Sequence, residues 1–212
     1  MNRTKMINDL IQKLNAYSPG TRLEDEQKRN HAAVLIPIVI EPEPVLILTL
    51  RAPHMDSHAG EVAWPGGKQD PEDASLQATA LREAHEEIGL QPEHVDVAAE
   101  LRPFISKFGL LVTPYVGLIE EPRELRANPH EIDSIFKVPL SWLQDDPRIQ
   151  TDIISRHGET MKVPVYEYEG FRIWGLTSMI LWEFMKEVME VGLEQEACAK
   201  LLRNAEKDWE TR

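Results

Sequence analysis

Apolar residues recur along this chain with two different periods. Ile7, Leu10, Ile11 and Leu14 fall at i, i+3, i+4 and i+7, which predicts an amphipathic helix over residues 4–17. The following stretch, YSPGTRLEDEQKRN (17–30), is polar, contains Pro-Gly and reads as a linker. HAAVLIPIVI (31–40) and PVLILTLR (44–51) are rich in β-branched and aliphatic residues around the turn EPEP, and predict a buried strand pair. EVAW (61–64) predicts a short strand running into Pro65-Gly66-Gly67. Further strands are expected over 95–105, 110–119, 132–140, 162–168 and 171–174. From Thr177 to Val191 the pattern becomes helical and heavily apolar, and a last polar helix is expected over 193–208.

The helix between the glycines and the strand expected over 95–105 has punctuation at both ends. Asp70 can serve as N-cap, with Pro71 at the first helical position and Asp73 at the third. Gly89 stands where a left-handed C-cap belongs, with Leu90 as its apolar partner. Many strands around one central and one late helix, without regular alternation, imply a mixed α/β sandwich rather than a doubly wound parallel sheet. The expected organisation is a helix and linker over 1–30, a main domain over 31–192 and a helical tail over 193–212.

Composition narrows the partners. The chain has 212 residues, 42% of them hydrophobic, enough for one well-filled domain. Its 23 Lys and Arg against 36 Asp and Glu leave a net charge of −13, which opposes binding to nucleic acid or an anionic membrane. An anionic substrate would then need a metal ion or a few placed cations. Cys198 is the single cysteine, so an internal disulfide and a cysteine-based zinc site are both excluded. No apolar run is long enough for a signal peptide or a membrane span, and the expected location is cytoplasmic.

Glu83, Glu86 and Glu87 crowd one turn of the central helix. At about 100° per residue they share about 100° of arc, while Leu81, Ala84 and Ile88 form a separate apolar stripe. Like charges so spaced oppose the helix by about 0.2–0.5 kcal/mol per pair. The cluster therefore calls for a solvated acidic face or a bound cation. Arg82, four residues before Glu86, can pair with it. Gly66-Gly67 favours the cation, because a glycine pair between strand and helix lets backbone carbonyls approach a ligand closely. Carboxylates and a carbonyl, without a His or Cys cluster, suit Mg²⁺ or Mn²⁺ better than zinc.

The run GGKQDPEDASLQATALREAHEEIGL (66–90) resembles the Nudix box, G-x5-E-x7-R-E-U-x-E-E-x-G-U, in which U is a bulky aliphatic residue. Arg82-Glu83-Ala84-His85-Glu86-Glu87-Ile88-Gly89-Leu90 matches its second half, with Ala84 small for its place. In the first half Asp73 stands for Glu, and eight residues rather than seven separate it from Arg82. The resemblance implies a Nudix-type α/β/α sandwich with a mixed sheet. It also implies hydrolysis of a nucleoside diphosphate linked to another moiety, with Mg²⁺ or Mn²⁺ as cofactor. On that analogy Glu83 and Glu87 are metal ligands, Glu86 is a ligand or orienter, and the Gly67 carbonyl completes the shell. Upstream, LILTLRAPHMDSHAGEVAWPGG (46–67) resembles the coenzyme A pyrophosphatase signature through Leu48, Thr49, Arg51, His58, Gly60, Val62, Ala63 and Pro65-Gly66-Gly67. Ala52 for Ser, Trp64 for Phe and Asp56 for an expected Arg depart from it. The resemblance extends over residues 31–185.

Other residues carry two readings each. Arg51 would clamp a phosphate or pair with a surface acid. His58 would donate to a phosphate or serve its loop, and Lys68 would touch phosphate or stand in solvent. Glu131, which aligns with an acid facing the metals in relatives, would be the catalytic base or an exposed charge. His85 is expected on the surface. Trp174, Met179 and Trp182 are expected in the core, with adenine stacking the lesser reading, and Cys198 is expected to be inert. The apolar faces of the first helix and of 177–191 would cover the core or pair two copies as a homodimer.

Three functions follow from these readings. One is hydrolysis of coenzyme A or its thioesters to 3′,5′-ADP and a 4′-phosphopantetheine product. The second is hydrolysis of ADP-ribose-like or nucleotide-sugar diphosphates, and the third a non-catalytic nucleotide-binding module. The intact Arg82, Glu83, Glu86 and Glu87 argue against the third.

Overall fold

The structure, a computed structural model, describes residues 3–19, 29–120, 124–156 and 159–193. In chain order its elements are α1 (Arg3–Ala16), β1 (His31–Val39), β2 (Val45–Arg51), β3 (Val62–Ala63), β4 (Gly66–Lys68) and α2 (Leu76–Ile88). They continue with β5 (Asp96–Glu100), β6 (Phe104–Ile105), β7 (Leu111–Ile119), β8 (Ile132–Pro139), β9 (Arg148–Arg156), β10 (Glu159–Tyr168), β11 (Phe171–Ile173) and α3 (Gly175–Glu183).

Why β1, β2 and β7 read as unbroken apolar runs is visible in their burial. Ala33, Leu35, Val39, Val45, Ile47, Tyr115 and Ile119 pack to one side of the sheet, with Ala80, Ala84 and Ile88 of α2. Ala32, Ile36, Ile38, Leu46, Leu48, Val112 and Val116 pack to the other, with Leu10 and Leu14 of α1 and Met179 to Trp182 of α3. A strand covered on both faces needs apolar side chains at consecutive positions. The layers are thus α/β/α, and the sheet is mixed. β1 and β7 run parallel, from His31↔Leu111 to Val39↔Ile119, while β2 and β4 pair with β1 antiparallel. β3 and β8 extend the sheet from β2, and β5 and β6 from β7. β9, β10 and β11 form a second antiparallel sheet.

Three expectations are corrected and one strand is new. The central helix starts at Leu76, capped by Ser75, whose hydroxyl accepts from the Ala78 N–H at 3.1 Å. Asp70, Pro71 and Asp73 lie in a preceding turn, because the Asp73 carboxylate is engaged by Thr79 and Arg82 and cannot be wound into the first helical turn. Gly66-Gly67, expected only to link strand and helix, is itself part of a strand paired to β1. The single strand expected over 95–105 is two, interrupted at Arg102-Pro103, where proline has no N–H to give a ladder. β9 was not anticipated, although Ile149, Thr151 and Ile153 alternate with polar residues. The predicted Gly89 cap holds, at φ 70°, and Leu90 is buried behind it.

The two flanking helices turn their apolar faces inward. Lys13 of α1 bonds the Met189 carbonyl at 3.2 Å and Glu190 at 2.8 Å. The Arg102 N–H donates to the Tyr17 hydroxyl at 3.2 Å, and burial beside Glu183 pushes that phenol up to about 12. α3 continues as one turn of π-helix, Phe184–Val188. Residues 194–208 of the expected last helix, Cys198 among them, lie outside the described residues. Among the described residues no helix is long and apolar enough to cross a membrane.

Candidate functional site

The glycine strand and the acidic helix meet at close range. A Cβ on Gly67 would lie 2.4–2.5 Å from the Glu83 carboxylate, so only glycine leaves room for that side chain. The Gly66 N–H donates to Glu87 Oε2 at 3.1 Å, and Arg51 Nη1 reaches Glu87 Oε1 at 3.3 Å. The three glutamates, equivalent on a helical wheel, therefore differ in depth. The Glu86 side chain is 51% exposed, Glu83 16% and Glu87 only 2%.

Depth and crowding set the charges. Burial pushes the Glu87 carboxyl up to about 7, opposed by the Gly66 N–H and Arg51 and reinforced by Glu83 and Glu131. Burial also raises Glu83, with Arg82 opposing and Glu86 and Glu131 adding to the shift. Glu131, from outside the helix, thus acts on both carboxylates through its charge. Its position is tied to theirs through the backbone. The loop before β8 caps α2, with Arg126 N–H on Ile88 O at 2.9 Å and Asn128 N–H on Glu87 O at 2.8 Å, and Ala52 N–H bonds Glu131 O at 2.8 Å.

Arg82 organises the other side. Its Nε and Nη2 bind Asp73 at 2.9 and 3.0 Å, its Nη1 touches Glu83 at 3.0 Å and Glu86 at 3.1 Å, and its Nη2 reaches Lys68 O at 3.2 Å. The bidentate Arg82 guanidinium holds the Asp73 carboxyl well below the usual carboxylate range. Asp73, whose spacing departs from the box, is thus the anchor of the arginine. The turn at 70–75 absorbs the extra residue.

Two candidates lie apart. His58 bonds Glu61 at 2.7 Å and sets its ring edge-on to Phe108, rather than turning to the acidic helix. Lys68 is exposed and brings its carbonyl, not its ammonium, to Arg82. His85 is on the surface as expected. Trp182 and Met179 are core, but Trp174 is 40% exposed. The departures at Ala52 and Trp64 are packing solutions: both are buried, and the Trp64 indole donates to Thr177 O at 3.2 Å.

Residues 29–156 match the NUDIX domain family model. The chain belongs to the Nudix family. This Nudix hydrolase is 44% identical over 170 residues to an uncharacterized Nudix hydrolase NudL of Photorhabdus laumondii, covering 80% of this chain and 90% of that one. It is 39% identical over 186 residues to an uncharacterized Nudix hydrolase NudL of Shigella sonnei, covering 88% and 96%. A MutT/nudix family protein from Enterococcus faecalis matches its fold with TM-score 0.50 over 87% of this chain and 74% of that one, at 17% identity, a likeness of fold alone.

Nudix hydrolases generally work with divalent cations, and the donor set here suits one. Among the described residues no three acids or imidazoles already form a tight metal shell, since Arg82 and Arg51 draw the carboxylates to themselves. Yet Glu83, Glu87 and Glu131 repel one another in a partly buried space, and all offer hard oxygen. A cation relieves that repulsion.

Asp73→Ala is expected to lower stability by about 2–4 kcal/mol near neutral pH, because it strands Arg82 and removes the acceptor of Thr79 Oγ1. The sign of the pH effect follows from a folded-state pKa held low. The contribution is full above the ordinary carboxylate range and lost as pH falls far enough to protonate Asp73 in the fold. Denaturant unfolding of both proteins at pH 7 and in acid should show the gap closing in acid; a constant gap would refute the ion pair as its source.

Proposed function

We propose that this Nudix hydrolase cleaves the diphosphate of coenzyme A or its thioesters, giving 3′,5′-ADP and a 4′-phosphopantetheine product. The observation that supports the hydrolytic part is the placing of Glu83 against Gly67 and of Glu87 against Gly66 and Arg51, with the charge of Glu131 acting on both glutamates. Mg²⁺ or Mn²⁺ bound by Glu83, Glu87, Glu86 and the Gly67 carbonyl would neutralise charge on the diphosphate and ease ionisation of the attacking water. Glu131 is the candidate to take the proton from that water. Arg82 holds Glu83 and Glu86 in place, which makes it a positioning residue. Arg51 stands ready for a phosphate: its Nε is buried and has no hydrogen-bond partner among the described residues.

The coenzyme A assignment rests on the match at Leu48, Thr49, Arg51, His58, Gly60, Val62, Ala63 and Pro65-Gly66-Gly67, in the stretch that builds β2, β3 and β4. Asp56 in place of a cation keeps a second reading open, hydrolysis of ADP-ribose-like diphosphates that carry no 3′-phosphate. Incubating the protein with Mg²⁺ or Mn²⁺ and coenzyme A, acetyl-coenzyme A, ADP-ribose, NADH and nucleoside triphosphates separates the two. 3′,5′-ADP from coenzyme A is the expected product. AMP from ADP-ribose with coenzyme A untouched would move the assignment to the second reading, and no product from any of them would overturn both.

A further inference from the structure

A cavity of about 290 Å³ opens where the second sheet meets β3, walled by Gly60, Glu61 and Val62 on one side and Asp152, Arg172 and Trp174 on the other. Its volume is at the lower edge of small-molecule sites, about 300–1,000 Å³, room for one ring system rather than a whole dinucleotide. The Trp174 indole is 40% exposed, whereas Trp64 and Trp182 are buried in the core. Its backbone is held rigidly. Thr177 Oγ1, three residues on, donates to Val62 O at 2.9 Å, and Thr177 O accepts from the Trp64 indole. Across the cavity, Gly60 has φ +69°, and among the described residues beyond its chain neighbours no atom lies within 4 Å of where a Cβ would stand, so that wall is open.

The rim favours a hydrogen-bond donor over an anion. Asp152 is fixed by Arg172 at 3.3 Å and Glu61 by His58 at 2.7 Å, leaving two carboxylates against one guanidinium. A phosphate would be repelled; a flat, uncharged ring with an amino group would not. The cavity also adjoins the carboxylate cluster through a single residue. Gly60 N–H and Glu61 O bond the backbone of Arg51 at 3.1 and 3.0 Å, and the Arg51 side chain touches Glu87.

We propose that this cavity binds the adenine base of the substrate, the ring stacking on Trp174 and the exocyclic amino group donating to the Asp152 and Glu61 carboxylates. The inference rests on the diphosphate reading above and deepens it. Adenine is common to coenzyme A and ADP-ribose, so the pocket would serve either. Stacking of a base on an aromatic side chain changes affinity by about 5- to 150-fold, and hypoxanthine, with a carbonyl in place of the amino group, should bind less well.

The test uses adenosine and inosine, which carry no phosphate and need no metal, titrated into the full-length protein by NMR. Adenosine should shift the Trp174 indole signal and bind more tightly than inosine. Trp174→Ala should weaken adenosine by 5-fold or more, with Trp174→Phe retaining most of the affinity. The double variant Glu61→Gln, Asp152→Asn should abolish the preference for adenosine. Absence of adenosine binding to the unaltered protein, affinity unchanged in Trp174→Ala, or no preference over inosine would each overturn the proposal. The two readings fail separately. Trp174-dependent adenosine binding with no diphosphate hydrolysed supports the pocket and sinks the proposed reaction, and hydrolysis without such binding does the reverse.

Discussion

Glu87→Gln is expected to lower kcat for diphosphate hydrolysis by about 10³-fold or more, since loss of several kcal/mol of charge stabilisation in the transition state corresponds to that range. The fold should survive, because glutamine can still accept from the Gly66 N–H where Glu87 does. Stability in the absence of metal should move the other way from activity. Glu87 titrates at about 7 in the fold against an ordinary 4.5, chiefly through burial. A carboxyl raised in this way favours the folded state fully below its unfolded pKa, and that advantage is lost as pH rises through about 7. Above that pH, in chelator, the glutamine variant should be the more stable protein by on the order of 3 kcal/mol. Adding Mg²⁺ should then raise the Tm of the unaltered protein and not of the variant. A variant with undiminished kcat would remove Glu87 from the reaction, and a Tm blind to Mg²⁺ in both proteins would remove the metal from Glu87.

How much of this could be read from the letters depended on whether the cause was local. The C-cap at Gly89 follows from one residue's conformational freedom, and the apolar stripe Ala84–Ile88 from helical period, so both were legible. The doubly buried strands β1 and β2 were legible because they lack any polar face. The start of α2 was not. Asp70-Pro71 satisfies the local rules for a cap, but Asp73 gains more from Arg82, nine residues on, and that contact exists only once the helix has formed. The same holds for the depth of the three glutamates. A helical wheel places them together, but only the docking of Gly66 and Arg51 makes Glu87 buried and leaves Glu86 half in water. Trp174 was expected in the core with Met179 and Trp182, but it is 40% exposed at the end of β11, and its local sequence does not distinguish it from the two that are buried.

Gly66 and Gly67 look interchangeable in sequence, and substitution by alanine should tell them apart. A Cβ on Gly66 would meet Ala33 O at 2.4 Å and Val34 Cα at 2.6 Å, backbone atoms of the adjoining strand that cannot turn aside. Gly66→Ala must therefore push β4 off β1, and it should destabilise the protein by about 1–3 kcal/mol. The atoms nearest a Cβ on Gly67 are those at the end of the Glu83 side chain, at 2.4–2.5 Å. That carboxylate can rotate away, so Gly67→Ala should cost less than about 1 kcal/mol of stability. The displaced Glu83 would leave the place where Arg82 holds it, at 3.0 Å, and activity should fall by about 10²-fold or more even though the melting curve hardly moves. Chemical unfolding and steady-state kinetics on the two variants check this directly. Equal destabilisation by both would mean that Gly67 serves packing alone, and full activity in Gly67→Ala would mean that the position of Glu83 does not matter to the chemistry. The expected split, stability governed by the first glycine and turnover by the second, arises because one Cβ is directed at a rigid backbone and the other at a movable charge.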